Sequence, residues 1–318
     1  MTTPSPSNSE DPVVERALHE HFGAVGRDLP PGVLLPPGDD LGMVDHDGPI
    51  LIGTDQVVLG RHVRTDESPY AIGRKAVLRN LSDVAAMAAH PVATVAAATL
   101  GPGCHQAWAT ELHRGLHETA LGWEAPLVGG DLATHAIEEG PTVITVSILA
   151  RPATASGRVV TRLGGRPGDL LAVTGSLGGS LDRDGGGRHL DFTPRVHEAI
   201  ALAGILGDDL VSMMDLSDGV AQDAGRLAAA GNAIARIDRG SIPATPGCDW
   251  RAAVSDGEDY ELLFACRTHP PAAVLGTSIS VIGRLESPSE RFPTGSVVVG
   301  EGRDADRIDH LGWEHRGE

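Results

Sequence analysis

The chain has 318 residues, of which 41% are hydrophobic, so it can build the cores of two packed domains. Its formal net charge is −18 and only 3% of its residues are aromatic. This combination excludes DNA and RNA as partners, because phosphates are repelled and bases find little to stack on, and no apolar run approaches the ~20 residues that a membrane span needs.

The N-terminal half begins with a polar tail over residues 1–11, which is predicted to be disordered. The tail is rich in Pro and Ser and lacks the basic and apolar regions of a signal peptide. Apolar residues have helical spacing over 12–24, and residues 49–54 are typical of a buried strand. An Ala-rich helix is predicted to run to Ala89 and to be closed by Pro91. Further strands are predicted over 92–99, 126–128 and 142–149.

The C-terminal half follows a connection rich in Pro, Gly and Arg, residues 151–168, which is the most favourable place for a domain boundary. A Gly-rich connection occupies 175–187, and a helix is predicted near 194–206. A second Ala-rich helix is predicted over 219–230, where Gly231 stops it. Strands are predicted over 170–173, 234–237, 260–265, 278–282 and 296–299.

Strands and helices are mixed in this order without strict β-α-β alternation. The sequence therefore predicts an α+β protein rather than a doubly wound sheet. Its N-terminal domain is expected over 12–152 and its C-terminal domain over 153–318.

The cysteines and the lysine of the chain limit the kinds of site that it can form. The three cysteines lie far apart and form no Cys-x-x-Cys pair, so neither a disulfide framework nor a zinc site is expected, and the predicted compartment is the cytoplasm. The only lysine is Lys75, so neither a Walker-A loop nor the lysine and HRD loop of protein kinases can be assembled. Nucleotide phosphates must then be met by metal ions, arginine and helix N-termini.

Six short acidic motifs stand beside Gly or Ser at the edges of apolar segments. Carboxylates in such places can meet metal and phosphate near the backbone, and several together repel one another unless divalent cations bind between them. Oxygen ligands without accompanying Cys or His favour Mg²⁺, with Mn²⁺ as the alternative. The motifs are GDD with Asp39 and Asp40, GTD with Asp55, LSD with Asp83, GGD with Asp131, DLSDG with Asp215 and Asp218, and DGEDYE with Glu258 and Asp259.

Each motif taken alone has a plainer interpretation. GDD and GGD are common turn sequences, and Asp55 at the end of a strand can cap a turn. Asp83 inside a helix can simply pair with Arg79, one turn away. Ser217 and Asp218 are natural N-caps of the helix that follows them. The metal hypothesis depends on the order and spacing of the motifs rather than on any one of them.

Two of the motifs echo each other. Asn80-Leu-Ser-Asp83 and Asp215-Leu-Ser-Asp218 each run into an Ala-rich helix. Duplication of an ancestral domain and coincidence between two ordinary helices explain the similarity of the two motifs about equally well.

In chain order the motifs GDD, TD, NLSD, GGD, TRxGxRPGD, DLSDG and GEDYEL resemble the thiamine-monophosphate kinase family, from about residue 36 to the C-terminus. That family shares a superfamily with aminoimidazole ribonucleotide synthetase, selenophosphate synthetase and a hydrogenase maturation factor. RKAVLRNLSDVAAMAAHP together with GEDYELLF is typical of the kinase branch. The resemblance implies a two-domain aminoimidazole ribonucleotide synthetase-like fold. Its N-terminal mixed sheet would bind ATP and Mg²⁺ and form the interface of a homodimer, and its C-terminal domain would be α+β.

The resemblance also implies the roles of individual residues. Arg162 and Asp218 are expected to act at the transferred phosphate. The expected ATP contacts are Gly130, Asp131, Arg162 and Ser217. The expected contacts to thiamine monophosphate are His62, Glu258 and Trp313. The expected ligands of several Mg²⁺ ions are Asp40, Thr54, Asp55, Asp83, Asp131, Asp215 and Asp218.

The implied reaction is in-line transfer of a phosphoryl group from ATP, the co-substrate, to thiamine monophosphate, which gives thiamine diphosphate. Such a transfer needs aligned and neutralised phosphates. It needs no strong general base, because the attacking phosphate oxygen is already ionised at neutral pH.

The chain departs from the family pattern in places. Gly53 stands where relatives usually carry Ser, and Asp256-Gly257 stands where they carry two glycines. A short GGSLDRDGGG replaces the helix that usually follows the VTG strand. The segment RHLDFTPRV after it resembles the RHLxPxPR of the kinases through Arg188, His189, Pro194 and Arg195. Two alternatives therefore stay open, namely an ATP-dependent enzyme of the same superfamily with a different acceptor and a nucleotide-binding regulator without catalysis. Selenophosphate synthesis is disfavoured, because the Gly-rich N-terminal region has no cysteine.

Overall fold

The computed structural model describes residues 32–35, 43–135, 137, 140–154 and 157–313. The predicted tail, the predicted helix over 12–24 and the GDD motif with Asp40 lie outside the described residues. The fold is α+β, as predicted. The chain divides into two compact units, Met1–Leu81 with Pro91–Arg151 and Ser82–His90 with Pro152–Glu318. No helix among the described residues is long and apolar enough to cross a membrane.

The first unit contains a four-stranded mixed sheet in the order β3-β6-β4-β5. Strands β3 and β6 are antiparallel, whereas β4 and β5 are parallel. The elements are β1 (Val33–Leu35), β2 (Met43–Val44), β3 (Leu51–Val58), α1 (Pro69–Ala86), β4 (Ala89–Leu100), α2 (Gln106–Gly122), β5 (Leu127–Thr134) and β6 (Val143–Pro152). The last residues of α1 and the first residues of β4 group with the second unit.

Strand β3 is longer than predicted and contains the GTD motif. It pairs with β6 without interruption from Leu51 opposite Ala150 to Val58 opposite Val143. Asp55 therefore lies within a strand and not at its end, so the interpretation of Asp55 as a turn cap was wrong. The GGD motif likewise lies inside β5 rather than in a turn.

Helix α1 ends three residues earlier than predicted. Its last residue is Ala86, and Ala88 adopts a left-handed conformation with φ of 49° that turns the chain into β4. Pro91 lies inside β4 and does not close the helix. The missing N–H of Pro91 is tolerated there, because pairing of β4 with β5 begins only at Thr94.

Helix α2 was not predicted, although its buried residues have helical spacing. Ala109, Leu112, Leu116 and Ala120 face the interior. The helix lacks the usual N-cap residues, and His105 takes that position instead, since its Nδ1 accepts a hydrogen bond from the backbone N of Trp108 at 3.2 Å.

The second unit contains an eight-stranded sheet, seven strands of which follow the order β14-β13-β9-β12-β7-β10-β8, while β11 pairs with β12. Only the β9–β13 pair is parallel among the described pairs of this sheet. The elements are β7 (Leu170–Thr174), α3 (Val196–Leu206), β8 (Leu210–Asp215), α4 (Val220–Ala230), β9 (Ile234–Ile237), α5 (Trp250–Ser255), β10 (Leu262–Cys266), β11 (Ala273–Val274), β12 (Thr277–Glu286), β13 (Val297–Val299) and β14 (Asp306–Arg307).

Helix α4 anchors this unit, because its small side chains pack closely on the sheet. Val220, Ala224, Leu227 and Ala228 are fully buried and share one core with residues of β7, β9, β10 and β13. The same packing fixes the connection between β8 and α4, which carries the DLSDG motif. The two Leu-Ser-Asp motifs therefore have different settings, since the first lies inside α1 and the second precedes α4.

Candidate active site

The DLSDG motif is held by a residue that the sequence analysis missed. Asp215 is the buried last residue of β8, and Ser217 and Asp218 lie on the connection to α4. The helix has Gly219 as its N-cap and no side-chain cap, so Ser217 and Asp218 are not its N-caps as the plainer interpretation had it. Instead, the Asp223 carboxylate accepts hydrogen bonds from the backbone N of Ser217 at 3.1 Å and of Asp218 at 3.0 Å.

Carboxylates are crowded around this connection. Burial, and after it the negative charges of Asp215 and Asp218, raise the pKa of the Asp223 carboxyl to about 7. Arg226 offsets part of this charge, because its Nη1 lies 2.5 Å from Asp218 Oδ2 and 2.6 Å from Asp223 Oδ1. An acidic residue within an apolar, Ala-rich helix was the pattern that could have identified Asp223, which lies in the first turn of α4, as it did Asp83.

Helix α1 brings the first Leu-Ser-Asp motif to this place. The last residues of α1 belong to the second unit, and there the Ser82 hydroxyl donates a hydrogen bond to Asp215 Oδ2 at 2.9 Å. Both side chains are buried. Asp83 follows Ser82 on the same helix and is partly buried.

Two residues predicted to contact the acceptor are joined to the same connection by their backbones. The backbone N of Glu258 donates to the carbonyl of Ser217 at 2.7 Å, and that of Trp313 donates to the carbonyl of Asp218 at 3.0 Å. The Trp313 side chain is 40% exposed. The second unit thus gathers predicted metal, nucleotide and acceptor residues around the residues between β8 and α4.

Arg162 is exposed on the connection that precedes β7. The carbonyl of its neighbour Thr161 accepts a hydrogen bond from the backbone N of Met213 at 3.0 Å, so the chain at Arg162 runs beside β8, and Met213 lies two residues before Asp215. Within the described part of the chain, the Arg162 guanidinium makes no ion pair. An exposed guanidinium with this freedom can bind an incoming phosphate.

In the first unit, Asp55 is paired with Arg79 of α1. The distance from Arg79 Nε to Asp55 Oδ2 is 3.3 Å, and Arg79 Nη1 also donates to the carbonyl of Gln56 at 3.0 Å. Burial raises the pKa of the Asp55 carboxyl, and the guanidinium opposes the rise. Because successive side chains of a strand point to opposite faces, the side chains of Thr54 and Asp55 cannot bind the same ion. Thr54 accepts a hydrogen bond from Ser147 on the exposed face.

The sole lysine of the chain supports the turn that carries His62. Lys75 is fully buried, with 0% exposure, and its Nζ donates to the carbonyl of His62 at 2.8 Å. The His62 Nδ1 accepts a hydrogen bond from the backbone N of Val58 at 2.9 Å, so the neutral ring carries its proton on Nε2. The sequence analysis used Lys75 only to exclude other kinases and missed this role.

The GGD motif lies on β5, at the edge of the first sheet. Asp131 is exposed there. A side chain on Gly130 is sterically excluded, since a Cβ would lie 2.1 Å from the carbonyl oxygen of Ala96 on the paired strand. The glycine is thus required by strand packing, whatever else it contacts.

Taken by geometry alone, the described residues contain no group of three or more His, Cys, Asp or Glu arranged to hold a metal ion. Asp40, which the resemblance assigns to the metal cluster, is outside those residues.

A groove of about 980 Å³ lies in the second unit near the ends of β9 and β13, and none of the predicted site residues line it. Its wall includes five arginines, Arg236, Arg239, Arg251, Arg284 and Arg307, and five carboxylates, Asp238, Glu286, Glu301, Asp304 and Asp306. Because these charges balance, the groove offers no net attraction to an anion, and the crowded carboxylates between β8 and α4 remain the better candidate site.

Comparisons with known proteins indicate the same family as the motifs do. The sequence matches the family described as AIR synthase related protein, N-terminal domain, over residues 38–151. It is 32% identical over 280 residues to the thiamine-monophosphate kinase of Rhodopirellula baltica, a match that covers 80% of this chain and 84% of that protein.

Solved structures share the fold over most of the chain. The thiamine-monophosphate kinase from Stenotrophomonas maltophilia K279a has a TM-score of 0.73 at 26% identity, covering 90% of this chain and 96% of that chain. AaThiL complexed with AMPPCP and TMP has a TM-score of 0.63 at 23% identity, covering 82% of this chain and 87% of that chain. The residues between β8 and α4, the fold and the sequence identity to these relatives all indicate the same family. The chain belongs to the thiamine-monophosphate kinase family.

Proposed function

We propose that the protein phosphorylates thiamine monophosphate with ATP and releases thiamine diphosphate and ADP. One observation carries the proposal beyond family membership. The connection between β8 and α4 bonds directly to Glu258 on one side and to Trp313 on the other. Residues suited to phosphate and metal therefore adjoin residues suited to an aromatic, cationic acceptor.

Magnesium is the metal that this donor set fits. Carboxylate oxygens without Cys or His are ligands for a hard divalent cation. Burial raises the pKa of the Asp223 carboxyl most, but the negative charges of Asp215 and Asp218 add to the rise, and a cation would relieve that repulsion. A bound Mg²⁺ would supply electrostatic stabilisation of the phosphate oxygens. The proposed ligands are Thr54, Asp55, Asp83, Asp131, Asp215 and Asp218, together with Asp40.

The chain's own residues have simple tasks in this reaction. Arg162 binds phosphate oxygens through its planar guanidinium, and Ser217 and Gly130 contact the nucleotide. Asp218 stays close to the transferred group, where Arg226 holds its carboxylate in place. No residue has to remove a proton, because a phosphate monoester oxygen is already a nucleophile at neutral pH.

The acceptor is recognised by charge and shape. Thiamine carries a positively charged thiazolium ring, which suits the carboxylate of Glu258 and the partly exposed face of Trp313. His62 is proposed to contact the acceptor through Nε2, since its Nδ1 is engaged by the backbone.

We further propose a homodimer and a cytoplasmic location. The strand β3 carries Ile52, which is 72% exposed, on the face opposite to Asp55. This apolar side chain is available for contact with a second copy. The cytoplasm suits a chain whose three cysteines are all free.

The test is an acceptor screen with purified protein and Mg-ATP, which follows ADP release and identifies the product by chromatography. We expect thiamine monophosphate to stimulate ADP formation and to appear as the diphosphate, whereas unphosphorylated thiamine, the control, yields no product. ADP release with another phosphorylated acceptor only would favour a different enzyme of the superfamily. ATP binding without turnover on any acceptor would favour a nucleotide-binding regulator.

A further inference from the structure

The segment that follows strand β7 encloses the acidic motif that carries Glu258. We call residues 174–195 the clamp segment and residues 256–261 the acidic segment. The two lie far apart in sequence, yet nearly every residue of the acidic segment is bonded by the clamp. Gly179 N donates to Asp256 Oδ2 at 2.9 Å, and Ser180 Oγ donates to the Gly257 carbonyl at 2.5 Å. Asp259 Oδ1 accepts from Gly178 N at 2.9 Å and from Arg188 Nη2 at 2.6 Å. Thr174 Oγ1 donates to Glu261 Oε2 at 2.6 Å.

The end of the clamp completes the enclosure. Arg195 makes a two-pronged ion pair with Glu261, with Nε–Oε2 at 2.8 Å and Nη2–Oε1 at 2.6 Å. The ring of Phe192 stacks on Tyr260 with centroids 3.9 Å apart and planes 11° apart. Gly175 has to be glycine, because its φ is 61° and a Cβ would lie 2.1 Å from Glu261 Oε1.

The acidic segment is held in a strained backbone conformation. Glu258 and Tyr260 both have φ of 51°, a left-handed conformation that residues with side chains rarely adopt. Such residues persist only where surrounding contacts enforce them, and they are frequent at ligand-binding sites. The clamp therefore does more than cover the segment, because it stabilises the conformation that presents Glu258.

One clamp residue acts directly on the Glu258 side chain. His189 is fully buried, and its Nδ1 lies 2.8 Å from Glu258 Oε2, while its Nε2 lies 3.2 Å from the carbonyl oxygen of Gly185. A carbonyl oxygen can only accept, so Nε2 carries a proton. The contact between Nδ1 and Glu258 Oε2 is then a hydrogen bond in which one proton lies between the imidazole and the carboxyl group.

The other carboxyl oxygen is oriented as well. Tyr260 donates its hydroxyl to Glu258 Oε1 at 3.3 Å. The Glu258 side chain nevertheless remains 19% exposed, so the carboxyl group is oriented by its neighbours and still reachable by a ligand. A carboxylate prepared in this way loses less freedom on binding than one on a mobile side chain.

We infer that His189 is a positioning residue for acceptor recognition, which fixes the carboxyl group of Glu258 in the orientation that receives the acceptor. This inference rests on the proposed function, because it takes Glu258 as a contact to the thiamine moiety. The His189 side chain is fully buried, so it acts through Glu258 and not by direct contact with the acceptor. The clamp segment then sets acceptor affinity through Glu258 and not through contacts of its own.

The first experiment compares His189→Leu with His189→Asn by steady-state kinetics. His189→Leu removes the donor to Glu258, and we expect KM for thiamine monophosphate to rise about tenfold, while kcat and KM for ATP stay within about twofold. His189→Asn keeps an N–H group near the position of Nδ1, so it should recover most of the affinity. A merely structural role predicts that both variants change all three constants alike, and this result would overturn the inference.

A double-mutant cycle with Glu258→Gln provides the second readout. If His189 acts through Glu258, adding His189→Leu to Glu258→Gln should raise KM for the acceptor by less than about twofold further. Additive effects would place His189 outside acceptor recognition. The matched control is Thr94→Val, which removes a buried hydrogen bond outside the clamp, from Thr94 Oγ1 to the carbonyl of Ala125 at 3.0 Å, and should lower the melting temperature without shifting KM for the acceptor.

The activity of the parent protein distinguishes failure of the proposed function from failure of the positioning role of His189. If the parent does not turn over thiamine monophosphate, the proposed function fails, and the role of His189 in acceptor recognition is overturned with it. If the parent is active and the variants behave alike, only the positioning role fails. The same cycle measured by thermal unfolding checks the bond itself, because an absent coupling between His189 and Glu258 contradicts the geometry.

Discussion

The hydroxyl of Ser82 donates a hydrogen bond to the carboxylate of Asp215 over 2.9 Å, and both side chains are buried. The two residues are 133 positions apart, and each belongs to a Leu-Ser-Asp motif. Ser82 lies on α1 and Asp215 at the end of β8. The contact joins the two motifs physically, whether or not they share an origin.

Removal of this hydroxyl should affect both stability and metal use. Ser82→Ala leaves a buried carboxylate oxygen without its partner, so we expect the free energy of unfolding to fall by about 1–2 kcal/mol. The Mg²⁺ concentration for half-maximal activity should rise, because Asp215 loses its orientation. Denaturant melts and Mg²⁺ titrations measure the two effects. The control is Ser241→Ala, which removes an exposed serine–aspartate hydrogen bond in the same unit; equal effects in both variants would contradict the prediction.

Arg162 should not tolerate replacement by lysine. An ammonium group cannot reproduce the two parallel hydrogen bonds of a guanidinium to phosphate, so Arg162→Lys should lower kcat/KM at least tenfold, or about 1.4 kcal/mol. Arg166→Lys is the control, since Arg166 is also exposed on the same connection. Near-normal kinetics in Arg162→Lys would place this arginine outside the site.

Replacement of Asp83 distinguishes a metal-binding role of this residue from a structural one. If Asp83 binds Mg²⁺, Asp83→Asn should abolish nearly all activity, and the metal-free protein should melt no lower than the parent because repulsion between carboxylates is relieved. Mg-ATP should also raise the melting temperature of the variant less than that of the parent. If Asp83 instead serves its helix, for example by pairing with Arg79, the variant is destabilised and stays active.

The pH dependence of the free energy of unfolding should reveal the titration of the buried Asp259 carboxyl. Burial raises the pKa of its carboxyl to about 7 against the opposing charge of Arg188, and its Oδ2 is buried with no hydrogen-bond partner among the described residues. The folded state then holds a proton that the unfolded chain releases near pH 4. Stability from this group is therefore present at low pH and is lost as the pH rises from about 4 to about 7.

Asp259→Asn removes that titration. The difference in melting temperature between pH 5 and pH 8 should shrink, although it should not vanish, because the pKa of Asp223 is also raised to about 7. The exposed Asp304→Asn serves as the control. An unchanged pH dependence in Asp259→Asn would show that Arg188 keeps this carboxylate ionised.

Much of this molecule could be predicted from local patterns. The strand over 234–237 and the Ala-rich helix after DLSDG occupy the predicted positions, because apolar periodicity and a Gly stop define them locally. The acidic motifs identified the elements on which the candidate site lies. The sequence failed where pairing across the sheet decides the structure, as in β3, which continues through Asp55 because every residue has a partner on β6.

The partners of the site residues could not be predicted at all. Nothing in the sequence near Glu258 indicates that a histidine some 70 positions earlier would hold its carboxylate, and nothing near Asp218 required Asp223 to bond its backbone. These contacts arise only when sheet and helix are assembled, since each depends on which buried polar groups need a partner. Local patterns identify candidate residues, whereas tertiary packing determines which of them are oriented.

Lys75 has a practical consequence for chemical labelling. It is the only lysine in the chain, and its ammonium group is fully buried against the turn of His62. Reagents that acylate amines cannot reach this side chain while the first unit is closed. The rate at which Lys75 becomes acylated therefore measures opening of that unit, at a single residue and without an introduced probe.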